Sequence, residues 1–163
     1  MIAKGQHVMV DTMVIIEAHR TRCWNALVGQ YRMDTVCRCI EECDTGNQRR
    51  RNPVPIDTAA LRERVVPKTV TPVMIYEMEQ RLAGRVDLDP GERELLAYCI
   101  TQADAWIISS PDKAAMRAGM FLGILDRFVS LESLTVALGL SPELRDNFTN
   151  RWQTAFRTQL LLN

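Results

Sequence analysis

Five acidic residues stand where a sheet edge would gather them. Asp11 closes the apolar run HVMVD (7–11), Glu41 and Glu42 follow the run DTVCRC (34–39), and Asp112 comes three residues after AWIIS (105–109). Glu92 sits at the start of a helical pattern opened by Asp89-Pro90-Gly91. Each acid alone has an ordinary duty. Asp11 suits a helix cap, Glu92 suits the second half of a capping box with Asp89, and Asp112 suits the positive end of a helix, worth about 0.3–1 kcal/mol. Brought together, such carboxylates repel one another unless a cation lies among them. Hard oxygen donors in that number suit Mg²⁺ or Mn²⁺.

Whether they meet depends on the elements that carry them. The runs at 7–11, 34–39 and 105–109 are short and rich in β-branched residues, so they read as strands, and 125–129 reads as a short fourth. Helical spacing covers 12–28, begins again at IEEC (40–43), and recurs at 57–65, 71–83 and 90–103 and after Asp112. Residues 44–55 carry Gly46, Asn47, Asn52 and two prolines and read as a loop. Ser141-Pro142 opens a last helix whose face runs Leu144, Phe148, Trp152, Ala155, Phe156 and Leu160. Strands separated by helices imply right-handed crossovers and a parallel sheet covered on both faces, with the site beyond the strands' carboxyl ends. At 100° per residue Glu92 falls on the buried face with Leu95, Leu96, Cys99 and Ala103, while Glu94 points to solvent.

Bulk properties set the frame. A chain of 163 residues with 47% hydrophobic and 25% charged residues is one globular domain, expected to span 1–163 with its core at about 7–130 and a helical extension at about 131–163. The 20 basic and 20 acidic residues balance, which argues against a non-specific nucleic-acid coat but permits a local basic patch. No apolar run reaches membrane-spanning length and the start is too polar for a signal peptide, so the expected address is the cytoplasm, with no membrane partner. Five cysteines at spacings unlike a zinc knuckle suggest free thiols. His19 lies on a buried helical face, and neither it nor His7 reads as a ligand.

The segments VMVDTMVII (8–16), CIEEC (39–43), LDPGERELLAY (88–98) and IISSPDKAAMRAG (107–119) resemble, in order, the four acidic motifs of the PIN-domain nucleases. The resemblance covers about 7–130 and is most specific in GERELLA followed by IISSPDKAA. It implies a three-layer α/β sandwich whose mainly parallel central sheet has four or five strands. It also implies metal-dependent endonuclease activity on phosphodiester bonds, in RNA ahead of DNA, with Mg²⁺ or Mn²⁺ held by Asp11, Glu42, Glu92 and Asp112. Glu41 is a close substitute for Glu42, and Thr12 and Ser110 are the supporting hydroxyls. Pro111 stands where many relatives place a further acid.

Phosphates approaching an acidic cluster need basic groups nearby, for which Arg49, Arg50, Arg51, Lys113 and Arg117 are the candidates. Two other readings stay open: a non-catalytic domain binding nucleic acid or protein, and the toxin half of a toxin–antitoxin pair with its antitoxin as partner. The last helix packs either on its own domain or on a second copy as a homodimer. A phosphatase of the haloacid-dehalogenase type wants an acid two residues after Asp11, where Met13 stands.

Overall fold

The computed structural model describes residues 2–163; Met1 lies outside the described residues. Among them, three parallel strands, β1 (His7–Val10), β2 (Arg32–Asp34) and β3 (Trp106–Ser109), form one sheet in the order β2-β1-β3. Val8 pairs with Met33 and with Ile107. All of β1 is buried, as a central strand covered on both faces must be.

The first crossover is two helices rather than one, α1 (Thr12–Arg20) and α2 (Trp24–Gln30). Arg22 takes a left-handed conformation (φ 61°), and the Thr21 amide and hydroxyl both donate to the Glu17 carbonyl, which ends α1. The expected strand at 34–39 is a second correction. Pairing stops at Asp34, and α3 (Cys37–Cys43) begins three residues later. Val36, Cys39, Ile40 and Cys43 are all fully buried, and their spacing also fits a helix, which the alternation of the segment concealed.

Four helices follow, interrupted by β3: α4 (Thr58–Arg64), α5 (Pro72–Leu82), α6 (Pro90–Cys99) and, after the strand, α7 (Lys113–Phe121). The expected fourth strand is a 3₁₀ turn at Leu125–Arg127, with a single parallel bridge from Phe128 to Ile108. Arg127 accounts for the short pairing: its Nη1 donates to the Trp106 carbonyl at 3.0 Å and caps the β3 edge with a side chain. The sheet therefore has three strands, not four or five.

The chain ends with α8 (Leu131–Val136), a 3₁₀ turn at Asp146–Phe148 and α9 (Asn150–Leu162). The last helix starts at the Thr149 cap instead of Ser141-Pro142, because residues 143–145 are drawn across α1. Arg20 donates to the Glu143 carbonyl at 2.9 Å, and the Arg145 amide donates to Glu17 at 3.0 Å.

Helices cover both faces of the sheet. On one side Met9 and Ile108 pack with residues of α5, α6, α7 and α9. On the other Val8 and Val10 pack with residues of α1, α2, α4 and α8. Phe156 and Leu160 enter the first core and Phe148 the second, so the C-terminal segment buries its aromatics within this chain and on two sides, not on one face. All five cysteines are free thiols. Among the described residues no helix is long and apolar enough to cross a membrane.

Candidate functional site

The carboxyl ends of β1 and β3 open into a cavity of about 390 Å³ lined by Asp11, Thr12, Glu42, Asp89, Glu92 and Asp112. Each acid is fixed by the local structure that carries it. Asp11 caps α1, its Oδ1 accepting from the Val14 amide at 2.9 Å, while Oδ2 accepts from the Ser110 hydroxyl at 2.6 Å. Asp112 caps α7 through the Ala115 amide at 2.9 Å. Glu42 lies in the last turn of α3 and accepts from the Thr12 hydroxyl at 2.8 Å. Glu92, in the first turn of α6, accepts from the Asp89 amide at 3.1 Å. The ordinary duty of each acid is real, and the convergence is added to it.

The electrostatics record the crowding. Burial, with smaller contributions from Asp112 and Glu42, pushes the Asp11 carboxyl up to about 7, against the bonds from Ser110 and Val14 that pull it down. Glu92 is pushed up to about 8, by burial first and then by Asp112. The donor set is that of a hard divalent cation: carboxylates with two hydroxyls beside them. The soft donor in the cavity wall, Cys39, is kept protonated by burial, its thiol pushed up to about 12. Among the described residues no three His, Cys, Asp or Glu side chains stand as placed at the spacing that would ligate one ion. A cation would therefore need the carboxylates to turn inward.

The remaining expected residues divide. Thr12 and Ser110 are in place, whereas Glu41 is exposed and leans on Arg38 at 3.9 Å, outside the cavity lining. Arg49 and Arg50 line the cavity, with Arg49 3.7 Å from Asp89; Arg51 is exposed and does not. Lys113 lies over the Phe156 ring at 5.3 Å and Arg117 is exposed on α7, both outside the lining. Glu94 is half-buried beside Arg38, Glu41 and Glu42 rather than free in solvent.

Reading the chain alone missed Gly91 and Arg145. A Cβ on Gly91 would meet Glu42 Oε2 at 2.6 Å and Oε1 at 3.0 Å, so the glycine makes room for that carboxylate. Its place in the first turn of α6 was the available signal. Arg145 lines the cavity from the far end of the chain, and nothing in its local sequence marks it. No family model, curated protein or solved structure matches this chain.

Proposed function

We propose that this chain hydrolyses phosphodiester bonds in nucleic acid, RNA ahead of DNA, with Mg²⁺ or Mn²⁺ held by Asp11, Glu42, Glu92 and Asp112, in the manner of the PIN-domain nucleases. One observation carries the reading: four carboxylates from separate parts of the chain line one cavity, two of them pushed up to about 7 and about 8 by burial and mutual repulsion. A bound divalent cation supplies the Lewis acid that lowers the pKa of water and shields phosphate charge.

The chain's own residues do the positioning. Ser110 holds one oxygen of Asp11 and Thr12 one oxygen of Glu42, while the caps of α1 and α7 fix Asp11 and Asp112 to rigid helices. Glu92, raised to about 8, would have to lose its proton to hold a cation, so cation uptake would strengthen as pH rises through about 8. Arg49 and Arg50 face the same space and draw phosphate toward it.

The second reading, a binding domain whose acids have become caps, is favoured by Glu92, which as placed serves the Asp89 amide and carries a proton at neutral pH. Cleavage of mixed single-stranded RNA and DNA in Mg²⁺, Mn²⁺ or EDTA separates the two. The nuclease reading expects cleavage by the wild type that EDTA and Asp112→Asn both abolish. No cleavage in either metal, or cleavage that Asp112→Asn leaves intact, overturns it.

A further inference from the structure

The cavity wall carries cations as well as acids. Arg50, from the loop after α3, and Arg145, from the segment before α9, both line it, and the charges that act on Arg50 are those of Arg145, Glu17 and Arg20 rather than of the four acids. Arg49 is answered by Asp89. Arg50 and Arg145 are not: among the described residues neither guanidinium has a hydrogen-bond or ion-pair partner, and the bond that Arg145 does make comes from its backbone amide. The nearby carboxylate, Glu17, is already saturated. It is 1% exposed, is held by Arg20 through Nε at 2.9 Å and through Nη2, and accepts the Arg145 amide on its other side. Burial would raise Glu17, yet these bonds hold its carboxyl below the ordinary value, so it stays an anion engaged elsewhere. Arg50 is drawn down by desolvation first and then by the charge of Arg145. Arg50 is half-buried and Arg145 exposed, so two like charges share this part of the wall with no anion of their own among the described residues.

The loop that presents Arg50 is built to hold it there. Gln48 is buried; its amide donates to the Cys43 and Val54 carbonyls at 2.9 and 2.7 Å, and its carbonyl accepts the Val54 amide at 2.9 Å. Those bonds close residues 48–54 against the end of α3, the helix that carries Glu42. Glu17 does the same for Arg145 from α1, whose cap is Asp11. Each arginine is thus tied to an element that also places an acid.

We propose that Arg50 and Arg145 form a phosphate subsite for a nucleic-acid strand, holding a phosphodiester other than the one at the carboxylates. The identity of the ligand rests on the nuclease reading. Guanidinium pairs bind phosphate oxygens through charge-assisted bonds, and none of the four acids is among the charges that act on Arg50. A strand with several phosphates engages both groups, whereas a single phosphodiester engages only one.

The test is binding of a dye-labelled single-stranded tetranucleotide to the full chain in EDTA, read by anisotropy across a salt series. For the double substitution Arg50→Gln/Arg145→Gln the expected result is a salt slope lower by about 1.4, at about 0.7 for each lost phosphate contact. Arg64→Gln, on exposed α4 and outside the cavity, should keep the wild-type slope. An unchanged slope in the double variant overturns the subsite. Should that variant fail to fold, wild-type amide spectra titrated with inorganic pyrophosphate decide: shifts at 48–50 and 143–147 support the subsite, and shifts confined elsewhere, or none, overturn it. If the wild type cleaves nothing in Mg²⁺ or Mn²⁺ yet keeps arginine-dependent binding, the nuclease reading falls and the subsite stands. If it cleaves but binding ignores both arginines, the reverse holds.

Discussion

Two groups of acids on the sheet stand in opposite company. Around His7, Nε2 stands 2.6 Å from Asp34, the last residue of β2, and Nδ1 2.7 Å from Asp104, while Arg32 and Lys68 approach Asp34 at 3.3 and 3.8 Å. Every carboxylate there is met by a basic group, and the His7 bond holds Asp104 below its ordinary value. At the carboxyl ends of β1 and β3, four acids share a cavity, and among the described residues the one ion pair any of them makes is Glu42 with Arg38, at 3.7 Å. Asp11 and Glu92 are pushed upward instead. Buried charge that is answered within the chain serves the fold; buried charge left unanswered marks a candidate site.

The largest effect expected from this contrast lies with cation binding. A divalent ion that binds the folded carboxyl end stabilises the protein by about 2.7 kcal/mol at a hundred times its dissociation constant. Asp112→Asn should lose most of that gain along with metal-dependent cleavage, while His7→Leu should keep it. Melting curves with and without Mn²⁺ measure both. A wild-type curve indifferent to Mn²⁺ would mean that the unanswered acids do not wait for a metal.

The next effect is a dependence on pH. The folded-state pKa of Asp11, about 7, lies above its ordinary value of 3.8, so the contribution of this group is fully favourable below pH 3.8 and is lost as pH rises to about 7. By linkage that loss is on the order of 4 kcal/mol at most. Glu92 acts in the same direction between its ordinary 4.5 and about 8. Asp11→Asn, neutral throughout, should match the metal-free wild type near pH 4, exceed it increasingly up to about pH 7 and keep that margin at pH 8. Urea denaturation at these pH values checks this; a wild type that gains stability over the same range contradicts it.

The His7 group should respond with the opposite sign. His7→Leu leaves Asp34 buried without its shortest partner, at a cost of about 3 kcal/mol, eased by Arg32 and Lys68. Urea denaturation at pH 7 is the measurement, and a loss under about 1 kcal/mol would show that His7 is not what answers Asp34.

How much of this was legible in the chain follows the same division. The acids could be read because each sits at the end of an element, and element ends carry local signals: Asp89-Pro90 before α6, Pro111-Asp112 before α7. The run 34–39 misled because its helical spacing shows only when it is joined to 40–43: the buried set is Val36, Cys39, Ile40 and Cys43, and the helix begins at Cys37. The break between α1 and α2 has no glycine or proline to announce it; a left-handed arginine makes it. The sheet edge was lost to Arg127, a side chain standing where strand pairing would continue. Arg145 was invisible because Glu17, which anchors it, lies 128 residues away. Local chemistry is written locally, and a wall assembled from both ends of the chain is not.

The smallest expected effect on stability is the sharpest test of which carboxylate counts. Gly91 lies in the first turn of α6, buried against the Glu42 carboxylate. Alanine there gains helix propensity of up to about 1 kcal/mol. Against that gain, its Cβ would stand 2.6 Å from Glu42 Oε2 and 3.1 Å from Cδ, so Glu42 must swing aside. The atoms that must move are the far end of a flexible side chain, and the Thr12 bond at 2.8 Å is the one direct hydrogen bond the carboxylate would give up. Gly91→Ala should therefore change the metal-free melting point little, within about 1 kcal/mol either way. It should nevertheless weaken the Mn²⁺-induced shift and cleavage, because Glu42 no longer shares the cavity with Asp11. If Gly91→Ala leaves both metal effects at wild-type strength, Glu42 is a surface partner of Thr12 and Arg38, and the unanswered set shrinks to Asp11, Glu92 and Asp112.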